Sequence, residues 1–335
     1  MSELLHMFNS SYDLNIRMFN VLQHTITGWP GGKPNADDSQ RPERAFPFPK
    51  KIIVFSPHPD DDVISMGGTL ARLVNQGHEV HVAYQTSGNI AVFDDDLIKY
   101  INFIQNSDIK LNLDKQTVAA LDSVMADINN KQSGQSDSKN VAFLKGMIRK
   151  SEAISACRFI GIPDKNIHFL QMPFYESGKE EKLDLCKTDI DLIVNLLQKV
   201  KPHQIYAAGD LADPHGTHKI CFGAIIDAID VLKGEKWLED CYVWLYRGAW
   251  QEWQLHEVDM AVPLSPDEVT VKRKAIFKHQ TQKDVVPFPG SDSREFWQRA
   301  EERNHQTALL YDKIGLAEYQ AMELFVRYKT FVYPS

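Results

Sequence analysis

The feature that most constrains this chain is a strand–helix–strand unit opening at Lys51. Lys51-Ile52-Ile53-Val54-Phe55-Ser56 is a short β-branched run, the mark of a strand buried on both faces. Gly68 to Asn75 reads as a helix, with Leu70, Leu73 and Val74 on one face and Gly77 at its C-cap. Glu79 to Tyr84 is the next strand. Two strands joined through a helix lie parallel, with a right-handed crossover. The alternation continues. Helices are expected over 143–160, 185–199 and 217–232, strands over 167–170, 203–208 and 242–246, and a largely helical stretch over 266–328. Strands and helices alternating in this way specify a layered α/β fold.

Two regions interrupt the pattern. Residues 1–49 hold helical spacing over 3–27, then a Pro-, Gly- and charge-rich stretch over 28–49 that reads as a linker or a surface-hugging arm. The main domain is therefore expected over 50–335. Residues 94–140 look like inserted helices ending in a low-complexity, mobile segment from Asn129 to Asn140.

Charge excludes some functions. Lys and Arg number 37 against 45 Asp and Glu, a net charge of −8, which disfavours nucleic acid as a partner. No apolar run is long enough to span a membrane, and Glu3, His6, Asn9 and Asp13 break any signal-peptide pattern. The four cysteines are scattered without a CxxC, which fits a reducing compartment, so a cytoplasmic protein is expected.

Chemistry concentrates in two clusters, each just beyond a strand, where open α/β sheets bind ligands. Pro57-His58-Pro59-Asp60-Asp61-Asp62 crowds one imidazole and three carboxylates into five residues. Such like charges repel by ~1 kcal/mol per pair even in water. A divalent cation would offset that repulsion; a solvated acidic turn capping the next helix is the alternative. Asp213-Pro214-His215-Gly216-Thr217-His218 follows a later strand, with His215 and His218 spaced to share one side of a helical turn. Two His and one carboxylate form a zinc-hydrolase ligand set; two polar loop histidines beside a helix cap are the bland reading. Two such clusters facing one rim favour the metal.

The tract PHPDDD followed by SMGGT resembles the first signature of the PIG-L/LmbE-like deacetylases, and residues 213–218 resemble their second. Thr86-Ser87-Gly88, Arg149-Lys150-Ser151-Glu152 with Ile160-Gly161-Ile162, and Lys278-His279-Gln280-Thr281-Gln282 extend the resemblance over about 50–285. It implies a Rossmann-like layered fold with a mostly parallel central sheet, helices on both faces and a helical C-terminal part. It implies zinc, held by His58, Asp61 and His218, and removal of N-acetyl groups from glucosamine-type sugars. Iron or cobalt would suit the same donors. By the same resemblance Asp60 is the general base, and His215 stabilises the oxyanion or protonates the leaving amine. Arg149, Asn89, Asp62 and Arg247 are candidate substrate contacts. Arg149 would orient Asp60 or bind a sugar hydroxyl or phosphate; a helix-surface pair with Glu152 is the competing reading. Thr217 stands where the family has Asp, which removes a charge beside His215.

The chain also resembles the C-terminal region of proteins that begin with a glucosamine-6-phosphate deaminase-like domain. That implies a small amino-sugar substrate, perhaps phosphorylated at O6, a linked deaminase-like domain, and a homo-oligomer. A sugar-sensing module without turnover is the rival reading, with the deaminase label inherited from the neighbour another. A nucleotide-binding domain ranks last, because Met66-Gly67-Gly68-Thr69 lacks a phosphate-loop pattern.

Overall fold

The computed structural model describes residues 10–35, 41–176, 182–212, 216–248, 251–283 and 294–328. Its centre is a seven-stranded sheet in the order β3-β2-β1-β4-β5-β7-β6. The strands are β1 (Lys51–Ser56), β2 (Glu79–Tyr84), β3 (Ile167–Phe169), β4 (Gln204–Ala208), β5 (Tyr242–Tyr246), β6 (Met260–Leu264) and β7 (Ala321–Arg327). β1 to β5 run parallel, with Ile52 opposite Val80 and Gln204.

The continuous apolar run of β1 is buried on both faces, as its composition predicts. Ile52 and Val54 point into a core closed by α2 (Asp61–Asn75), α5 (Lys139–Ile160) and α8 (Pro266–Ile276). Ile53 and Phe55 point the other way, into a core closed by α6 (Lys187–Val200) and α7 (Thr217–Val231). Helices on both faces force the functional groups to the ends of the strands, the only places where the sheet is open.

Two expectations need correction. First, α2 begins at Asp61 rather than near Gly68, so Asp61 and Asp62 occupy its first turn. Second, the largely helical stretch over 266–328 also contains a strand, and another precedes it. It contains α8 and α9 (Phe296–Lys313), but β6 and β7 also belong to the sheet, β7 running antiparallel to both β5 and β6. β6 carries Pro263, which an edge strand tolerates. β7 carries Glu323, which is buried and receives Lys272 Nζ at 2.7 Å. Its carboxylate also accepts the N–H groups of Gly68 and Thr69 at 3.1 and 2.7 Å, where α2 is kinked at Met66. Gly68 is needed here: a Cβ would lie 2.4 Å from Leu264 Cδ1.

The region before the sheet begins with α1 (Ser11–Thr25). The segment after it packs against the amino ends of the strands, opposite the polar clusters. Thr27 N donates to Ala261 O, and Gln204 Nε2 donates to Pro30 O. His78 Nδ1 accepts from Lys50 N at 3.0 Å, and its ring lies so close to Gly31 that a Cβ there would meet Nε2 at 2.3 Å. Burial, with Lys50 adding to it, pushes the His78 pKa down to about 4. A depressed imidazole pKa means the unfolded chain takes up the proton first. Stability from this group is full above about pH 6.5 and is lost as pH falls toward 4. Between pH 7 and pH 5, urea unfolding of the wild type should therefore lose about 1–2 kcal/mol more than that of His78→Gln. Equal losses would show that His78 does not carry this sensitivity.

The insertion has its own small core. α3 (Asp94–Leu111) and α4 (Lys115–Asn130) pack on α5 through Leu97, Ile101, Leu121, Val124 and Ile148. No helix among the described residues is long and apolar enough to cross a membrane.

Candidate metal centre

The turn between β1 and α2 is held from below. Ser56 Oγ accepts Asp62 N at 3.1 Å, and the Asp62 carboxylate accepts Ser56 Oγ at 3.3 Å and Tyr84 OH at 3.0 Å. Asp62 is fully buried and its carboxylate is engaged inside the core. Its grouping with the substrate contacts is thus corrected: it braces the turn.

Asp61 faces upward from the first turn of α2. Its Oδ2 lies 2.9 Å from His58 N, 3.1 Å from His58 Nδ1 and 3.3 Å from His218 Nε2. His218 comes from the first turn of α7, beyond β4, and its Nδ1 sits 3.1 Å from Asp210 O. A carbonyl at one ring nitrogen fixes the tautomer that turns the other nitrogen's lone pair outward, as metal ligands require. Donor atoms of His58, Asp61 and His218 all lie within 4.8 Å of one another. Tetrahedral zinc with bonds of about 2.0–2.2 Å separates neighbouring donors by about 3.3–3.6 Å, so these residues fit a divalent cation. Electrostatics agree. Burial pushes the Asp61 carboxyl up, but His218 and His58 overcome it and hold it well below the usual range. Burial lowers His58, favouring the neutral, ligating imidazole.

Asp60 points elsewhere, as adjacent residues must. Its Oδ1 accepts Arg149 Nη2 at 3.0 Å. Burial pushes its pKa up to about 7, against the pull of Arg149 and with the push of Asp61 and Asp62. Arg149 is 1 % exposed, and its Nε and Nη1 have no hydrogen-bond partner among the described residues. Gly88, at φ +63°, lets the chain pass: a Cβ would meet Pro59 at 2.9 Å and Arg149 Nε at 3.1 Å.

Arg149 pairs with Asp60 rather than with Glu152. Its guanidinium serves Asp60, while Glu152, one turn later, accepts Thr281 N and Oγ1, both at 2.8 Å. Gln282 Nε2 donates to Ala91 O, and the fully buried His279 has its pKa pushed down to about 3 by burial. The segment Lys278 to Gln282 is therefore a brace behind Arg149.

The remaining candidates disperse. Asn89 is buried in the turn after β2 and lines a cavity beside the insertion. Arg247 lies at the same rim beyond β5, its Nε donating to Gly209 O at 3.0 Å and its guanidinium stacked 3.6 Å over Trp253. His215 lies outside the described residues, as do Asp213 and Trp250. Sequence reasoning missed Asp210, which acts through its backbone carbonyl, and Tyr175, whose ring centroid is 6.0 Å from that of His58. Neither carries a motif; only its nearness in space marks it.

Residues 53–229, just over half of the chain, match the family profile described as PIG-L, GlcNAc-PI de-N-acetylase. The chain belongs to the PIG-L family. A Bacteroides thetaiotaomicron protein described as glucosamine-6-phosphate deaminase-like is 54% identical over 332 residues, covering 98% of this chain; the chain spans 50% of that relative's length. Among solved structures, N,N'-diacetylchitobiose deacetylase from Pyrococcus horikoshii superposes with a TM-score of 0.52 at 20% identity, over 83% of this chain and 84% of its own. The 4-carboxy-2-hydroxymuconate hydratase GalB from Pseudomonas putida KT2440 superposes with a TM-score of 0.50 at 16% identity, over 83% and 95%. At these identities the likeness is one of fold. A deacetylase and a hydratase share it, so the PIG-L fold alone does not select the reaction.

Proposed function

We propose that this chain is a metal-dependent hydrolase that removes the N-acetyl group from an N-acetylglucosamine-type sugar. The observation that carries the reading is one largely buried constellation at the sheet's carboxyl rim. It combines a His58–Asp61–His218 donor set with a separate carboxyl, Asp60, whose pKa stands near neutrality. PIG-L membership supports amide hydrolysis over hydration.

Here the roles divide by geometry. His58, Asp61 and His218 hold the cation; zinc fits the donors, and iron or cobalt would too. When bound, a divalent cation polarises the acetyl carbonyl and makes the attacking water more acidic. Asp60 takes the proton as water attacks the carbonyl carbon, because a base with a pKa close to the working pH combines availability with driving force. Arg149 holds the Asp60 carboxylate in place. By the family pattern His215 stabilises the oxyanion or protonates the departing amine. The C–N bond breaks, leaving acetate and a free amino sugar.

The substrate's 6-phosphate enters through the name of the curated relative. A deacetylase joined to a deaminase-like domain would act first on such a sugar. Acetate release from N-acetylglucosamine and from its 6-phosphate, with and without a chelator, tests the function. Acetate is expected from at least one, and only with the metal present. Ammonia from glucosamine 6-phosphate with no acetate from either sugar would overturn the assignment.

The brace gives a further prediction. Thr281→Val removes one of the two hydrogen bonds to buried Glu152 and loosens the helix that carries Arg149. kcat should fall about tenfold, with KM and metal content unchanged, and Thr281→Ser should restore it. An unchanged kcat would show that Arg149 needs no such support.

A further inference from the structure

We propose that Arg247 is a positioning residue for the metal ligand His218, acting through the turn that leaves β4. The inference rests on the cation site of the hydrolase reading and deepens it. Arg247 lies beyond residues 53–229, the part of the chain that matches the family profile. His218 has two ring nitrogens to satisfy. Its Nε2 faces Asp61 and the cation site, and its Nδ1 sits 3.1 Å from Asp210 O. The helix that carries it is pinned from another side: Gln85, just past β2, donates from Nε2 to Cys221 O at 3.0 Å, three residues further along α7. The aim of the ring then depends on where the Asp210 carbonyl stands. If that carbonyl drifts, the imidazole turns with it, and the lone pair of Nε2 swings off the cation.

The end of β5 and the segment leaving it hold that carbonyl in place. Gly209 N donates to Tyr246 O at 2.7 Å, Arg247 Nε donates to Gly209 O at 3.0 Å, and Gln251 N donates to the Asp210 carboxylate at 3.0 Å. The Arg247 bond grips the peptide plane next to the one that meets His218. Its donor is charged, which makes it roughly twice as strong as a neutral one.

Trp253 closes the clamp. The Arg247 guanidinium stacks 3.6 Å over its ring, and the ring lies so close to Gly209 that a Cβ there would meet Cζ2 at 2.6 Å. Trp253, Gly209 and Asp210 are all buried. Arg247 and the turn therefore lean on the same indole, which fixes their spacing. The inner N–H of Arg247 and one face of its guanidinium are committed to the protein, as befits a support rather than a group held ready for a sugar.

The test is the zinc affinity of the metal-stripped full chain, measured by competition with a chromophoric chelator, with KM taken from acetate release at saturating zinc. Arg247→Met keeps the stem and removes the donor, so zinc should bind about tenfold more weakly, the lower end of what a partner behind a metal ligand contributes. Arg247→Gln returns an N–H to the position of Nε and should recover most of that loss. Arg247→Lys keeps the charge but moves its first N–H one atom outward; it should bind zinc as weakly as Arg247→Met, and it carries the comparison if the Met variant does not fold. KM should stay at the wild-type value in all three. Wild-type zinc affinity in Arg247→Met and Arg247→Lys would overturn the proposal. So would an Arg247→Gln chain as weak as Arg247→Met, which would assign the effect to charge. A raised KM with unchanged zinc affinity would also overturn it and make Arg247 a substrate contact. His218→Ala separates this inference from the reading beneath it. If the wild type holds no zinc that His218→Ala removes, the cation site itself fails; if it does and the Arg247 variants hold zinc as tightly, only the positioning role fails. Zinc affinities that follow the expected order, with no acetate from any sugar, would leave the clamp standing and sink the hydrolase reading.

Discussion

Asp61→Ala is expected to empty the cation site and to lower acetate release by about a thousandfold or more. The reason lies in one atom. Asp61 Oδ2 is the point that both imidazoles share, at 3.1 Å from His58 Nδ1 and 3.3 Å from His218 Nε2. Removing it leaves two neutral donors, short of the three that a catalytic zinc site uses. It also removes the acceptor of His58 N, so the turn that aims His58 loses its anchor. Elemental analysis after dialysis and an acetate assay check the two effects together. Full metal content with a catalytic deficit would mean the cation is held elsewhere.

Asp60→Asn should do the opposite with the metal and much the same with the rate. Asn keeps the size of the side chain and an oxygen for Arg149, but cannot take a proton. The ion should stay, while kcat falls by about 10²–10⁴-fold, the usual worth of a positioned base. The substitution also leaves Arg149, almost wholly buried, without its counter-charge. A measurable loss of thermal stability should therefore accompany the loss of rate. The contrast between neighbours is the sharp part: Asp61→Ala loses metal and rate, Asp60→Asn only rate. Near-wild-type turnover in Asp60→Asn would remove it as the base, and loss of the ion there would make it a ligand.

Much of this arrangement is written locally in the chain. β1, β2, β4 and β5 are legible because strands buried on both faces are continuous apolar runs, and the helices between them end on glycine or carry an apolar face. β6 and β7 are not. Met260 to Leu264 contains a proline, and Ala321 to Arg327 contains a glutamate in its middle. Both residues argue against a strand until the partners are known. Pro263 is tolerated on the edge, and Glu323 is neutralised by Lys272 from α8, 51 residues away. Short apolar runs of this kind are ambiguous between strand and helix when read alone.

The site divides in the same way. His58, Asp61 and His218 announce themselves because each lies in a dense polar tract just past a strand. The partner of Arg149 is legible only as one of several choices, since Asp60 is 89 residues away and Glu152, at helix spacing, competes with it. Asp62 looks like a third site carboxylate in sequence, yet the alternation of directions at a helix start sends it inward to Ser56 and Tyr84. Long-range pairing and side-chain direction, not residue type, separate the groups that face the cavity from those that build its floor.

The account depends on a cation held between the turn after β1 and the first turn of α7. Anomalous diffraction at the zinc edge, from crystals of the chain grown with zinc, measures this directly. The account predicts one strong peak bonded at about 2.0–2.2 Å to His58, to Asp61 and to His218 Nε2. A map with no peak there, or a peak bonded to other residues with His58 and His218 turned apart, would contradict it.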